Sequence, residues 1–555
     1  MLLTKRLSLY FIGLFISVTS SAQIDRSLIP LGFSLSETEL RDIPFQSYSL
    51  PLLQPTASNA KHSAYPRMGT CVAADIDLNI QSIKTQIGGK TCFLFKIRIA
   101  GAKGLVPYFD QFRLSQGSVI HVYSSDKTEW IGAFNSANNT DNGYNTLGLF
   151  IGEEMIIEYV PGENASFDEL HLNEIGVAQQ FVPSKRRSTP EFGSAQNCEV
   201  NVNCAEGDNW RNQQRAVARI LVKTGSEFGW CSGTMINNTG NDCTPFLLTA
   251  DHCGIKSNGG YASNNDFNQW TFYFNYESAD CSNPNSDSAL VDDFLVGSSR
   301  IAYSQDQGGD KGSDFLLVKL KQRPDSLYNT FYAGWNAENI APDSGIGIHH
   351  PSADIKKIST FTTPASSTTW GGIVNNTHWK VTWRQTTSGW GITEEGSSGS
   401  AIFNPQQQIV GTLTGGNSYC NTPTAPDDYG KFSYHWNSNG STLQKQLQPW
   451  LDSLGTGLTQ MDGREKCITG IPNAIVPIRN SNIVFQLYPN PTQGNCYIQS
   501  NAKIQHVFVY DLTGKLVGEG EHSGQYFFDY LTSGVYTIRV IAPEKIYIQK
   551  LIVAK

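Results

Sequence analysis

Three short motifs that lie far apart constrain this chain more than any other feature. His252 lies in the run 248–253 (LTADHC), Asp314 in the run 312–317 (GSDFLL) and Ser398 in the run 395–400 (EGSSGS). A serine hydroxyl is a weak nucleophile at neutral pH, so it needs a histidine base whose tautomer a carboxylate fixes. Because unrelated folds carry this triad in different chain orders, the order His–Asp–Ser predicts an architecture as well as a chemistry.

The turn around Ser398 also has what an oxyanion hole requires. The backbone amides of Gly396 and Ser398 are placed to donate to a developing oxyanion, and the flanking glycines permit a tight turn. Each residue alone has an ordinary explanation, such as a turn serine, a capping aspartate or a core histidine. Their joint order and flanking sequence favour nucleophilic catalysis.

The composition favours β structure and excludes several functions. With 51 Gly, 11% aromatic and only 16% charged residues, turn-rich sheets are favoured over helical bundles. A chain of 555 residues is too long for one core. The net charge of −8 comes with no basic patch, so no nucleic-acid partner is predicted. No motif calls for a cofactor or a metal.

The N-terminus predicts export. Residues 1–22 have the form of a secretory signal peptide, with Lys5 and Arg6 before a short apolar run and small residues before Gln23. An exported chain with 11 Cys is expected to form disulfides, and the odd count leaves at least one Cys unpaired or paired between chains.

The rest of the chain divides into four segments. Residues 23–187 alternate strand-like runs with turns, which predicts a β-sandwich that a Cys71–Cys92 disulfide could staple. The basic cluster at 183–190 is either a solvated hinge or a processing site after Lys185 or a neighbouring Arg. The triad candidates fall in 188–465, and further boundaries are a linker at 466–482 and a small β-sandwich at 483–555. The leucine spacing from Ser441 to Gly455 predicts a helix that ends the segment 188–465, kinked or restarted at Pro449.

Residues 193–462 resemble the lysyl endopeptidases, which are bacterial serine proteases of the chymotrypsin superfamily. The resemblance implies an all-β fold with a chymotrypsin-like double β-barrel and three disulfides, Cys198–Cys420, Cys204–Cys281 and Cys231–Cys253. Cys243 has no counterpart there, and it is either a free thiol or the partner of Cys467. The matching motifs are Cys198–Cys204, 206–208, 246–250, 333–335, 348–351, 370–372 and 393–394.

The same resemblance assigns a specificity pocket. The position six residues before the nucleophile is Ile392, so the acid of trypsin-like pockets is missing there. The matching acid is Asp427, with Asp428 as the alternative if the shorter loop shifts register, and Glu394 as a further candidate. A carboxylate in a narrow slot would pair with a substrate ammonium and reject neutral side chains.

One position departs from the family pattern. Trp370 keeps the tryptophan that the family places beside the catalytic imidazole, but its histidine partner is replaced by Thr414. A slightly wider pocket would then admit Arg as well as Lys. His349 and His350 are adjacent, but a metal site is disfavoured because no further ligands fall nearby and the pair belongs to the protease pattern.

The two ends of the chain resemble accessory modules. The N-terminal β region is similar to the pro-segments of secreted bacterial proteases. The C-terminal block resembles the type A sorting domain of the type IX secretion system through Tyr488–Pro491, Gly534–Tyr536 and a Lys-rich end. The resemblance implies contact with that secretion machinery and a secreted or cell-surface location. A carbohydrate-binding sandwich is the alternative.

The sequence therefore predicts a secreted serine endopeptidase, made as a zymogen, that cleaves peptide or protein substrates after Lys. We expect it to act as a monomer. A protease that accepts both Lys and Arg is the first alternative. The second is a catalytically silent surface adhesin on a protease scaffold, although such relatives usually lose a triad residue or the oxyanion glycine.

Overall fold

The computed structural model of the chain forms two compact units, Met1–Cys467 and Ile468–Lys555. The signal-peptide segment 1–22, the basic cluster 183–190 and the linker 466–482 lie outside the described residues. The structure describes residues 27–52, 67–180, 195–284, 293–465, 485–493, 495–500, 506–510, 516–520, 525–527, 531–542 and 545–555.

The first barrel of the larger unit is closed by one bent strand. The chain from Asp293 to Tyr303 turns at Gly297, which has a φ of +87°. Its first half pairs with Thr271–Phe274 and its second half with Leu316–Leu320, so both edges of the sheet are joined. The seven strand segments are Val217–Thr224, Glu227–Met235, Phe246–Thr249, Thr271–Phe274, Asp293–Val296, Ser298–Tyr303 and Leu316–Leu320.

The second barrel follows in the chain. Six of its strands pair in the order 357–361, 345–349, 401–403, 408–416, 427–431 and 378–381. The Arg384 amide then donates to the Thr360 carbonyl at 2.8 Å, which returns the last strand to the first. Three short strands, Gly334–Asn336, Ser366–Thr368 and Gln460–Met461, extend the sheet. The two barrels confirm the predicted all-β, double-barrel fold.

Residues 27–180 form two further sheets, and one of them continues into the first barrel. Arg67–Asp77 pairs antiparallel with Glu227–Met235, with Thr70 opposite Glu227. The next strand of the same sheet, Val217–Thr224, is buried at every position, whereas a strand with one solvated face would alternate. The strands of this region are Phe45–Ser47, Arg67–Asp77, Ile83–Ile87, Lys90–Arg98, Gly104–Arg113, Val119–Tyr123, Trp130–Phe134, Asn145–Thr146, Phe150–Ile151, Glu154–Val160 and Glu169–Ala178.

The predicted Cys71–Cys92 disulfide is wrong. Both residues are free thiols, with Cys71 in a strand of one sheet and Cys92 in Lys90–Arg98 of the other. Burial raises the pKa of Cys71 to about 12, so its thiol stays protonated. Spacing along the chain does not reveal which sheet a strand joins, and this is why the prediction failed.

The helix predicted from Ser441 to Gly455 is also wrong in form. The segment contains a 3₁₀ turn at Leu443–Lys445 and a separate α-helix at Gln448–Leu451, which has Pro449 in its first turn. Proline lacks the amide that would continue the preceding helix, but it is tolerated in a first turn. Leu447 and Leu451 still pack into the core of the larger unit.

Other helices of the larger unit are short, and among the described residues no helix is long and apolar enough to cross a membrane. The α-helices are Glu37–Arg41, Leu78–Gln81, Arg211–Ala216, Asn264–Asn268 and Phe432–Asn437. The 3₁₀ helices are Leu31–Ser34, Ser136–Asn138, Ala165–Phe167, Ala205–Trp210, Asp251–Gly254, Ser326–Tyr328 and Pro351–Ala353.

The C-terminal unit consists of two antiparallel sheets. Their buried side chains, which include Leu487, Val509 and Ile538, form one apolar core. The strands are Phe485–Tyr488, Asn495–Ser500 and Gln525–Phe527 in one sheet, and His506–Tyr510, Leu516–Gly520, Gly534–Ala542 and Lys545–Val553 in the other.

Phe228 tests whether the N-terminal region and the first barrel share one core. Its ring is fully buried and meets Tyr108 edge-to-face at 6.3 Å. Phe228→Ala should lower the free energy of unfolding by about 3–5 kcal/mol, because a buried ring leaves a cavity. Urea unfolding of the full chain, with Ser398→Ala to prevent proteolysis, measures this. Phe167→Ala is the control, since Phe167 is 72% exposed; equal losses for both variants would contradict a shared core.

Candidate active site

His252 and Asp314 meet inside the first barrel through two hydrogen bonds. His252 lies in the 3₁₀ turn Asp251–Gly254, and Asp314 precedes the strand Leu316–Leu320. One Asp314 oxygen lies 2.7 Å from His252 Nδ1, and the other accepts from the His252 amide at 2.9 Å. Burial alone would raise the pKa of Asp314, but the charge and hydrogen bonds of His252 outweigh it and lower the pKa below its usual value. The pair can therefore hold an imidazole in one tautomer.

Two buried carboxylates that the sequence analysis missed support this pair. Asp306 accepts hydrogen bonds from the Gly309 amide at 2.9 Å and the Asp314 amide at 2.8 Å. Asp251 accepts from the Tyr261 hydroxyl at 3.0 Å. One carboxylate oxygen from each of Asp251, Asp306 and Asp314 lies within 4.8 Å of the other two. Burial and then mutual repulsion raise the pKa of Asp251 and of Asp306, which leaves Asp314 as the carboxylate most easily ionised.

Ser398 approaches this pair from the second barrel. Its carbonyl accepts from the Ser232 amide at 2.9 Å, and a Cys231–Cys253 disulfide joins the residues next to Ser232 and His252. Gly399, with a φ of +80°, packs so closely that an added Cβ would lie 2.1 Å from Thr249 Oγ1. The structure thus brings the Ser398 turn against the segment that carries His252.

The conformation of Gly396 is one that glycine alone adopts readily. Its φ is +94°, and an added Cβ would lie 3.0 Å from the His350 carbonyl oxygen. Within the turn, the Ser397 amide donates to the Glu394 carbonyl and the Gly399 amide to the Leu413 carbonyl. The turn can therefore present the Gly396 and Ser398 amides to a single oxyanion.

Asp427 begins the strand Asp427–Lys431 of the second barrel, and the structure surrounds its side chain with donors. One carboxylate oxygen lies 2.6 Å from each of three buried groups, the Ser418 hydroxyl, the Thr393 hydroxyl and the Trp383 indole nitrogen. The other oxygen accepts from the Ser418 amide at 3.1 Å. Burial raises the pKa of Asp427, and these hydrogen bonds oppose the increase. Thr393 is five positions before Ser398, so this carboxylate is hydrogen-bonded directly to the segment that leads to Ser398.

The alternative acids are oriented differently. Asp428 is half-buried opposite Lys380 on the neighbouring strand, and burial raises its pKa to about 6. Glu394 accepts from the Gln196 amide at 2.8 Å and from the Ser352 hydroxyl at 2.9 Å. Among the three acids, Asp427 is the one that accepts hydrogen bonds from three buried side chains.

The Trp370 indole does contact a histidine, but this histidine is not at position 414, where the family has one and this chain has Thr414. Its indole stacks on His378 with ring centroids 5.9 Å apart, and His378 Nε2 lies 2.9 Å from Thr414 Oγ1. His378 comes from the strand His378–Val381, so pattern matching at position 414 did not find it. His349 and His350 have separate partners, since His349 contacts two serine hydroxyls and His350 Nδ1 lies 3.0 Å from the Asp354 carbonyl.

The structure contains the three disulfides that the resemblance implied, Cys198–Cys420, Cys204–Cys281 and Cys231–Cys253. Cys243 is disulfide-bonded as well, and its proposed partner Cys467 lies outside the described residues.

Comparison with known proteins agrees with the two modules. Residues 192–430 match the family model of the lysyl endopeptidase C-terminal domain, and residues 486–554 match that of a secretion system C-terminal sorting domain. A lysyl endopeptidase of Pseudomonas aeruginosa is 30% identical over 291 residues, which cover 50% of this chain and 58% of that protein. The chain thus spans little more than half the length of this curated relative.

Two solved structures are more distant. A thermostable serine protease, AL20, from an extremophilic microorganism is 12% identical with a TM-score of 0.29, over 40% of this chain and 92% of the other. A Glu endopeptidase solved in complex with MPD is 16% identical with a TM-score of 0.27, over 43% and 93%. We base the fold on the strand pairing above.

Two barrels, with a His–Asp pair in one and a Gly–Ser turn in the other, form the double-barrel architecture that the sequence predicted. Residues 192–430 are similar to the lysyl endopeptidase C-terminal domain, whose family model they match. The sorting-domain match confirms the prediction that the chain is exported to the medium or the cell surface.

The donors around Asp427 give a stability prediction. Asp427→Ala would leave the Ser418, Thr393 and Trp383 donors unpaired in the core, at a cost of about 1–3 kcal/mol for each group left unsatisfied. Asp428→Ala removes a half-buried carboxylate and should cost much less. Chemical denaturation in the Ser398→Ala background measures both variants. Equal stability of the two would contradict the assigned contacts of Asp427.

Proposed function

We propose that this chain is a secreted serine endopeptidase, made as a zymogen, that hydrolyses peptide bonds on the carboxyl side of Lys. The observation that carries the proposal is the double hydrogen bond between His252 and Asp314, with the Ser398 turn packed beside it. It gives a serine hydroxyl the base and the orienting carboxylate that nucleophilic attack requires.

In the proposed reaction, Ser398 Oγ attacks the scissile carbonyl while His252 Nε2 takes its proton. Asp314 accepts the hydrogen bond from Nδ1 and stabilises the imidazolium. The Gly396 and Ser398 amides bind the oxyanion, and His252 returns the proton to the leaving amine. Water then hydrolyses the acyl-enzyme by the same route, which regenerates the free hydroxyl.

The proposed preference for Lys rests on Asp427. Three buried donors bind one of its oxygens. The other oxygen accepts from the Ser418 amide, and we propose that it also meets a substrate ammonium. A buried charge that lacks a partner is costly, so neutral side chains should be rejected strongly. Arg is planar and wider than an ammonium, and a slot of this kind should disfavour it.

Activation by proteolysis is part of the proposal. The N-terminal region packs on the outer face of the first barrel, where the Leu149 amide donates to the Tyr273 hydroxyl at 3.0 Å and the Gln269 side chain to the Phe109 carbonyl at 2.9 Å. Cleavage after Lys185 or a neighbouring Arg would separate the two regions in the chain. Self-cleavage would follow from the proposed Lys preference, and Ser398→Ala should therefore accumulate as the uncut precursor.

Digestion of an unbiased peptide library tests substrate preference. Wild-type enzyme should cut after Lys, with kcat/KM for Lys well above that for Arg. Asp427→Asn keeps the shape of the pocket but removes its charge, and it should lose at least about 100-fold in kcat/KM for Lys substrates. Asp428→Asn is the matched control and should retain the preference. Equal cutting after Lys and Arg would favour the broader protease, and an unchanged Asp427→Asn would remove the pocket assignment.

Gly396→Ala tests the oxyanion assignment separately. A side chain at φ +94° would strain the turn and displace the amides. We expect kcat to fall about 10²–10³-fold with a smaller change in KM. Gly372→Ala is a control at another positive φ, +77°, in open space. Wild-type kcat in Gly396→Ala would contradict the assignment.

A further inference from the structure

Three histidines outside the proposed triad share one unusual arrangement. His349, His378 and His435 are fully buried, and each ring contacts a hydroxyl group through both of its nitrogens. The pairs of hydroxyls are Ser397 and Ser359 for His349, Thr377 and Thr414 for His378, and Ser313 and Thr412 for His435, all at 2.7–2.9 Å.

Each histidine holds a segment that carries a group of the proposed active site. Ser397, on His349, directly precedes Ser398. Ser313, on His435, directly precedes Asp314. His378 contacts Thr414 and stacks on Trp370, whose ring lies against Gly415. Gly309 lies between His378 and Asp314, since a Cβ added there would be 3.3 Å from each of them.

The hydrogen bonds around His349 fix its tautomer. Ser359 has one proton, which it donates to the Ile392 carbonyl at 2.9 Å, so its oxygen must accept from His349 Nε2. Nδ1 is then the acceptor, and the Ser397 hydroxyl donates to it. The Ser397 oxygen in turn accepts from the Glu394 amide at 3.2 Å. A neutral imidazole therefore links the strand around Ser359 to the Ser398 turn, and both of its ring nitrogens are hydrogen-bonded.

His435 forms a similar link on the Asp314 side. The Ser313 hydroxyl accepts from the Asn439 side chain at 2.8 Å, which leaves its own proton for His435 Nδ1 at 2.7 Å. His435 Nε2 then faces Thr412, in the strand Gln408–Gly416 of the second barrel. Asp314 has a φ of +60°, a conformation that needs support from its surroundings.

All three rings favour the neutral form. Burial, assisted by Lys357, lowers the pKa of His349 to about 3. Burial and Lys431 lower the pKa of His378 to about 4 against the opposing charge of Asp314. Burial and His378 lower the pKa of His435 to about 3, again against Asp314. Neutral rings do not repel the imidazolium that His252 would become, and they cannot compete with it for a proton.

We propose that His349, His378 and His435 are positioning residues: each fixes a segment of the proposed active site through two hydroxyl hydrogen bonds, and none transfers a proton. This inference rests on the proposed function. Under this inference, His252 is the general base, and the other three histidines only fix the positions of the segments around it. His349 and His435 orient reacting groups, whereas His378 supports the Thr414–Gly416 segment beside the pocket.

Steady-state kinetics test this separation, with active sites counted by fluorophosphonate titration so that misfolded protein does not contribute. His349→Phe and His435→Phe should each lower kcat at least about tenfold with KM changed less than about twofold, because small misplacements of reacting groups reduce turnover. His378→Phe should raise KM as well. His→Gln at each position keeps part of the hydrogen bonding and should recover part of kcat.

Tyr328→Phe is the matched control. It removes a buried hydroxyl that donates to the Phe294 carbonyl at 3.1 Å in the first barrel, and it should lower stability without changing kcat. If kcat per titrated site in His349→Phe and His435→Phe equals that of wild type, the positioning role is overturned. If the wild-type enzyme itself fails to react with the fluorophosphonate, the proposed function fails instead.

A second measurement does not depend on the folding of any variant. In Ser398→Ala protein labelled with ¹⁵N-histidine, the three rings should keep the nitrogen shifts of neutral imidazole from about pH 8 to about pH 5. Titration of any of the three rings within that range would show that it is solvated and charged, and would overturn the proposal for that residue.

Discussion

The double hydrogen bond between His252 and Asp314 is the interaction on which the rest of the site depends. The backbone amide and the ring of one residue engage the two oxygens of the other, so the imidazole is fixed in both position and tautomer. The arrangement requires Asp314 to be fully buried and to adopt a positive φ, and both are unfavourable for the fold. Asp306 offsets that cost by accepting the Asp314 amide, and the low pKa of Asp314 keeps the carboxylate ionised.

The second constraint is the seam where the two barrels meet. The Ser398 turn belongs to the second barrel, but its carbonyl is bonded to Ser232 of the first, and Gly399 leaves no room for a side chain against Thr249. The Cys231–Cys253 disulfide secures the same place from the first barrel. The Ser398 turn and the His252 segment, which belong to separate barrels, are thus held together by close backbone packing. The extended core shared with residues 67–180 stabilises the first barrel from its outer side.

The sequence alone predicted the all-β class and the candidate triad because these features reside in short local motifs. It did not show that Cys71 and Cys92 belong to different sheets, since strand pairing is a property of the whole fold. The predicted restart at Pro449 is confirmed, but the segment before it forms only a 3₁₀ turn and not a helix. The hydroxyl partners of His378 and His435 lie up to 122 positions away, so no local pattern could reveal them. Likewise, the imidazole that stacks on Trp370 comes from a neighbouring strand rather than from position 414.

The most direct test of the account is the rate at which a fluorophosphonate modifies Ser398. If His252 activates the hydroxyl and Asp314 orients the ring, the second-order rate constant should fall by at least about 10³-fold in His252→Ala and substantially in Asp314→Asn, while both variants remain folded. A rate that is the same in wild type and His252→Ala would mean that the three side chains do not act together. In that case the hydrolytic function would have to be abandoned.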